Sequence, residues 1–150
     1  MSSNTENTKL DDLIVTTIDS VKGYEHSAQK AGGGIFADLL LALAQERQSV
    51  VAMLQEQSRA LGGEPNEFGS AAATIHRRFE DLRLAFGGGD AAIIKEIERG
   101  EDYLKEEFER VRKEDTFSIS TRDTVERCYQ IIAAGRVQIE QLDVQLTDSH

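Results

Sequence analysis

Carboxylates, histidines and a lone thiol are the residues of this chain that could do more than pack, and their spacing decides which chemistry is open to them. A di-iron carboxylate site in a helical bundle takes one Glu from each of two helices and a Glu-x-x-His pair from each of two others, because positions three apart share a helix face. Three residues before His26 stands Gly23, before His76 Ala73, and before His150 Thr147. No Glu-x-x-His exists, so that site is excluded. An atypical site of carboxylates alone would have to draw on Glu25, Glu46 and Glu101.

Those three acids belong to a wider group at mid-chain positions of the expected helices. At about 100° per residue, Tyr24 and Glu25 flank one apolar stripe and Glu46 and Arg47 interrupt a second. Glu101 breaks a third between Ile97 and Leu104, and Arg136 lies on the shoulder of the last. The functional reading of Tyr24, Glu25, Glu46, Arg47, Glu101 and Arg136 is a small acidic pocket that takes a metal or ligand. The plainer reading is an ion-pair network in which Arg47 or Arg136 neutralises Glu46 and Glu101, with Tyr24 as a hydrogen-bond donor. It is favoured because an unpaired buried charge costs several kcal/mol.

The remaining candidates carry less. Cys128 falls at the centre of an apolar face with Ile132, Gly135 and Ile139, where a thiol is inert. His76 is expected on a solvent-facing side. Gly87-Gly88-Gly89-Asp90 lacks the Lys-Ser/Thr of a phosphate loop and follows a helix rather than a strand, so it reads as a helix stop and start. The acid runs Asp11-Asp12 and Glu106-Glu107 read as solvated surface. No catalytic or cofactor-binding residue, and no cofactor, is assigned.

Composition narrows the partners. A net charge of −10 over 150 residues repels phosphate backbones and anionic lipid. The short basic run His76-Arg77-Arg78 is followed at once by Glu80 and Asp81, so nucleic acid is not expected. One cysteine allows no internal disulfide. The polar stretch Ser2 to Thr8 is not a signal peptide, and Ile35 to Ala44 is too short for a membrane span, which points to the cytosol.

The elements that must position these residues are helices. A single proline permits long ones, and glycine clusters at Gly32-Gly33-Gly34, Gly62-Gly63 and Gly87-Gly88-Gly89 mark their ends. Capping boxes at Thr8/Asp11 and Ser120/Asp123, and Asp90 as a direct cap, mark starts. The expected helices lie near about 8–30, 35–61, 67–86, 90–113 and 120–146, with 1–7 a disordered tail and 8–147 one domain. Each carries an apolar stripe at helical spacing, the crossover's running through Phe68, Ala72, Ile75, Phe79, Leu82 and Phe86. Two short hairpin links flank a long central connection. That pattern predicts an all-α, ferritin-like up-down-down-up four-helix bundle with an extra helix in the crossover; a five-helix up-and-down bundle is the alternative.

Several strings also resemble a known family. These are Asp19-Ser20-Val21-Lys22-Gly23-Tyr24, Leu61-Gly62-Gly63-Glu64-Pro65, His76-Arg77, Asp81-Leu82-Arg83 and Glu98-Arg99-Gly100-Glu101-Asp102. Together, over Leu10 to about Leu142, they look like the bacterial ferritin-like bundles catalogued as domain of unknown function 2383. The resemblance implies the four-helix ferritin-like fold and no assigned activity. It singles out the Gly-Tyr pair and the Glu-Arg-Gly-Glu-Asp string as positions for any shared role. Two functions follow. The favoured one is a non-catalytic bundle acting through self-association or a protein partner, with a stress-response role by analogy. The other is a metal-binding or redox protein on the carboxylate site. A homodimer is compatible with either.

Overall fold

A computed structural model describes residues 2–31, 33–70 and 89–148, with side chains over 5–31, 33–70 and 89–146. Within them lie four helices: α1 (Ser2–Ala31), α2 (Gly34–Ala60), α3 (Asp90–Arg112) and α4 (Ile119–Asp148). No strand occurs among the described residues. The helices form because each carries apolar residues at three- and four-residue spacing and can bury them on its neighbours. Leu10, Leu13, Ile14, Val21 and Ala28 of α1 meet Leu40, Leu43, Val50 and Leu54 of α2 in one core. Ile93, Ile97, Leu104 and Phe108 of α3 and Val125, Cys128, Ile132 and Ile139 of α4 complete it. Among the described residues no helix is long and apolar enough to cross a membrane.

Side-chain bonds fix which helix ends lie together. α1 packs beside α2 and α3, and α4 beside α2 and α3. At one end, Lys9 near the start of α1 reaches Glu114 just past α3 at 3.2 Å. Gln57 near the end of α2 donates to Thr121 near the start of α4 at 3.0 Å. At the other end, Lys95 of α3 pairs with Asp143 of α4 at 2.9 Å. Arg112 clasps α3 to α4 with two bonds to Glu126 and lies over the Tyr129 ring.

Several expected boundaries move. α1 starts at Ser2, so Thr8 is inside the helix rather than at its start, and the stretch expected to be a disordered tail supplies its first turns. The physical reason is Glu6. It is buried, and its carboxylate accepts bonds from Ser118 N, Ser118 Oγ and Thr121 Oγ1 at the start of α4. The same contact moves the cap of α4. Ser118, not Ser120, receives the first-turn donor, Thr121 N, and Glu6 takes the backbone N–H that a capping-box acid would ordinarily satisfy. α3 starts from Gly89, with a φ of 91° that favours glycine, and Asp90 is its first helical residue rather than its cap.

The crossover helix expected over 67–86 does not begin at 67. Asn66 Oδ1 accepts from Phe68 N and Gly69 N, closing a turn, and Phe68 is exposed. Ser70 is tied to the Asp19 carboxylate of α1 by its backbone and hydroxyl. The rest of that expected helix, with His76 and the apolar stripe from Ala72 to Phe86, lies outside the described residues.

Candidate functional site

At mid-bundle α1, α2, α3 and α4 bring Tyr24, Arg47, Glu101 and Gly135 to one level. Arg47 is fully buried and Glu101 nearly so, and the guanidinium donates through Nη2 to the Glu101 carboxylate as an ion pair. The pair fits because α4 has a glycine opposite it. A Cβ added at Gly135 would stand 2.6 Å from Arg47 Nη2, closer than any side chain tolerates. Burial, the largest single influence, would lower the Arg47 guanidinium, but the charge and hydrogen bond of Glu101 together with Tyr24 outweigh it and hold the group above its ordinary value.

Tyr24 completes the layer from α1. Its ring centroid lies 6.0 Å from Arg47 Cζ, near the outer limit of a cation–π contact. Burial, then the Glu101 charge, push its hydroxyl well above the ordinary tyrosine value, so it stays protonated. The expected hydrogen bond to Glu101 is not formed with good geometry. The buried Tyr24 hydroxyl lacks a well-formed partner, as do Arg47 Nε and Nη1.

The other expected members lie apart. Glu46 Oε1 is 3.9 Å from Arg47 Nη1 and half-buried, and Glu25 is exposed. Arg136 does not reach Glu101. Its Nε donates to Asp102 at 2.7 Å and its Nη2 stands 3.4 Å from Glu98, because the shoulder it occupies faces α3 rather than the bundle centre. Lys95 and Asp143 join it in a second polar cluster between α3 and α4. There burial, then hydrogen bonding to Asp143 and its charge, push the Glu98 carboxyl up to about 7, against the pull of Arg136 and Lys95. Among the described residues no three or more of His, Cys, Asp and Glu group as they would to hold a metal ion.

The thiol of Cys128 is buried, and burial pushes it up to about 12, which leaves no thiolate for chemistry at neutral pH. Each acid run divides. Asp12 and Glu106 are exposed, whereas Asp11 accepts a bond from Asn66 N and Glu107 is largely covered and held by Arg110.

The second cluster escaped the sequence reading. Glu98 was visible as part of the Glu-Arg-Gly-Glu-Asp string, and a signal for Asp143 existed in its place between Leu142 and Leu146 on an apolar edge. A cavity of about 410 Å³ was not foreseen either. It opens between α1 and α3, lined from α1 by Thr16, Asp19, Ser20, Gly23, Tyr24 and Ser27. From α3 come Glu96, Ile97, Arg99, Gly100, Glu101 and Tyr103. The Gly-Tyr pair and the Arg-Gly-Glu core of the second string therefore line one cavity.

The family model described as a domain of unknown function (DUF2383) matches residues 5–114. No curated protein and no solved structure matches.

Proposed function

The chain belongs to this domain-of-unknown-function family, and we propose that it is a non-catalytic ferritin-like bundle that works by associating with a second copy of itself. The up-down-down-up arrangement is favoured by the bonds that gather the start of α1, the ends of α2 and α3 and the start of α4 at one end. The chain leaves α2 at that end and enters α3 at the other, a span of about 35 Å, which suits a further helix in the crossover.

The observation that carries self-association is the outer face of α4. Exposed Gln130, Ala134, Val137, Gln141 and Val144 repeat at four- and three-residue spacing, the seam of a helix pair. Between Gln130 and Gln145 the exposed charged residue is Glu140 alone, because Arg136 and Asp143 turn inward to α3. On a chain of net charge −10, two copies meet with least repulsion through that face. An antiparallel two-fold arrangement sets Val137 of one copy near Val144 of the other.

Against the alternative of a metal or redox site on Glu25, Glu46 and Glu101 stands Arg47, an internal cation already bound to the one fully buried acid of the three. Sedimentation equilibrium with elemental analysis tests the reading. A dimer without stoichiometric metal is expected, converted to monomer by Val137→Glu with Val144→Glu. A wild-type monomer at every concentration, or two iron atoms per chain held in the bundle, would overturn it.

A further inference from the structure

We propose that self-association through α4 is controlled by proton uptake in the polar cluster between α3 and α4, where Glu98 and Asp143 share Lys95 and Arg136. This deepens the reading of α4 as the association face and rests on it. The cluster lies at the edge of that face. Arg136 and Asp143 each stand one residue before a seam valine, Val137 and Val144, which turns them about 100° round the helix toward α3. Val137 of one copy beside Val144 of the other centres the two-fold axis between Glu140 and Gln141. That axis crosses both helices at right angles, so the α3 sides of the two copies fall on the same edge of the pair. Arg136 and Asp143 bracket its level, which brings both clusters beside it. Two packed helices lie about 8–10 Å apart, no more than about a Debye length at about 0.1 M salt. A charge gained at one edge is therefore felt across the axis.

Glu98 is the group placed to gain or lose that charge. Its side chain is largely covered, and Oε1 is buried without a well-formed partner. Lys95 Nζ is held by Asp143 at 2.9 Å and stands 3.9 Å from Glu98. Arg136 donates to Asp102 at 2.7 Å and approaches Glu98 only to 3.4 Å. Both cations thus serve another acid first. On α3 the charged groups about Glu98 are Lys95 and Asp102; from α4 come Arg136 and Asp143, with Glu140 acting on Arg136. α1 packs on the opposite side of α3, at Glu96, Gly100 and Tyr103, and brings Asp19 there. Burial, then the hydrogen bond and charge of Asp143, push the Glu98 carboxyl up to about 7. As pH rises past that value, each copy gains one negative charge at the shared edge. The two increments are alike and face each other, so they oppose association.

Sedimentation equilibrium of the full chain between about pH 6 and about pH 8 tests this. Wild type should dimerise about threefold or more tighter at the lower pH. Glu98→Gln, neutral throughout, should hold the tighter Kd across the range. Glu96→Gln should follow wild type, since it carries every other titration of the chain. Asp143→Asn should move the midpoint of the dependence to lower pH, because Glu98 then has Lys95 without a competing acid. A merely structural cluster would change the Kd alike at every pH and leave the midpoint in place. A wild-type Kd independent of pH, a Glu98→Gln profile parallel to wild type, or an unmoved Asp143→Asn midpoint would each overturn this proposal and leave the α4 face standing. A wild-type monomer throughout, or a dimer that Val137→Glu with Val144→Glu leaves intact, would remove both.

Discussion

Arg47 is the side chain on which the centre of the molecule depends. A fully buried guanidinium would be expensive alone, and Glu101 offsets that cost by giving it an opposite charge and a charge-assisted hydrogen bond. Breaking such a pair from one side strands the other charge. Glu101→Ala should therefore destabilise by about 3–5 kcal/mol, whereas Glu106→Ala, at an exposed position of the same helix, should stay within about 0.5 kcal/mol. Equilibrium urea unfolding of the two variants checks this, and similar losses would dissolve the argument. Gly135 gives a second test. In an ordinary helix Gly→Ala gains up to about 1 kcal/mol. Here the added methyl collides with a guanidinium that Glu101 holds in place, so Gly135→Ala should lose about 1–3 kcal/mol instead. Much of this layer was legible beforehand. A carboxylate between Ile97 and Leu104 and an arginine between Leu43 and Val50 both announce themselves as breaks in apolar stripes. What periodicity could not decide was pairing: Arg47, interrupting one stripe, and Arg136, on the shoulder of another, were both open as partners of Glu101, and only the packed bundle turns Arg136 toward α3. The role of Gly135 was likewise hidden, because a glycine on an apolar face does not say what it makes room for.

Between elements, the start of α1 and the start of α4 hold each other. Glu6 accepts from the backbone and hydroxyl of Ser118 and the hydroxyl of Thr121, so one carboxylate from a distant helix completes the first turn of α4. A local reading of capping boxes placed helix starts at Thr8 and Ser120 because it could see only acids nearby in sequence. The stripes themselves needed no such information, and they located the core of all four helices. Burial raises the Glu6 carboxyl, but its bonds to Thr121 and Ser118 outweigh this and hold it below its ordinary value. A lowered folded value means that the stabilisation is present above the ordinary Glu range and is lost as pH falls through the folded value. Glu6→Ala should cost about 1–3 kcal/mol at pH 7, with the difference from wild type shrinking in acid. Thermal melts at pH 7 and about pH 3 check both statements. Removal of residues 1–7 should lower the melting temperature as Glu6→Ala does, and an unchanged melt would restore the expectation of an idle tail.

Across the whole molecule, acidity is managed in two ways. The mid-bundle acid is neutralised by a guanidinium. The α3–α4 cluster instead sets two acids, Glu98 and Asp143, against Lys95 and Arg136, with Asp102 sharing Arg136. Burial and the adjacent Asp143 raise Glu98 to about 7. Between the ordinary Glu range and about 7, the folded protein keeps a proton on Glu98 that the unfolded chain has released. The folded state binds more protons there, so stability contributed by this group is full below the unfolded value and is lost as pH rises through that window. Glu6 acts below the window, where its contribution is lost as pH falls, so the two can be separated. Glu98→Gln keeps the neutral form at every pH. Measured by urea unfolding from about pH 5 to about pH 7.5, wild type should lose stability relative to Glu98→Gln as pH rises. Glu96→Gln, on the opposite side of α3 beside Arg99, should track wild type. The general self-repulsion of a chain at net charge −10 acts on all three proteins nearly alike and drops out of the comparison. If Glu98→Gln and wild type run parallel across that range, the α3–α4 cluster holds no shared proton, and Arg136 with Lys95 keeps both of its acids ionised.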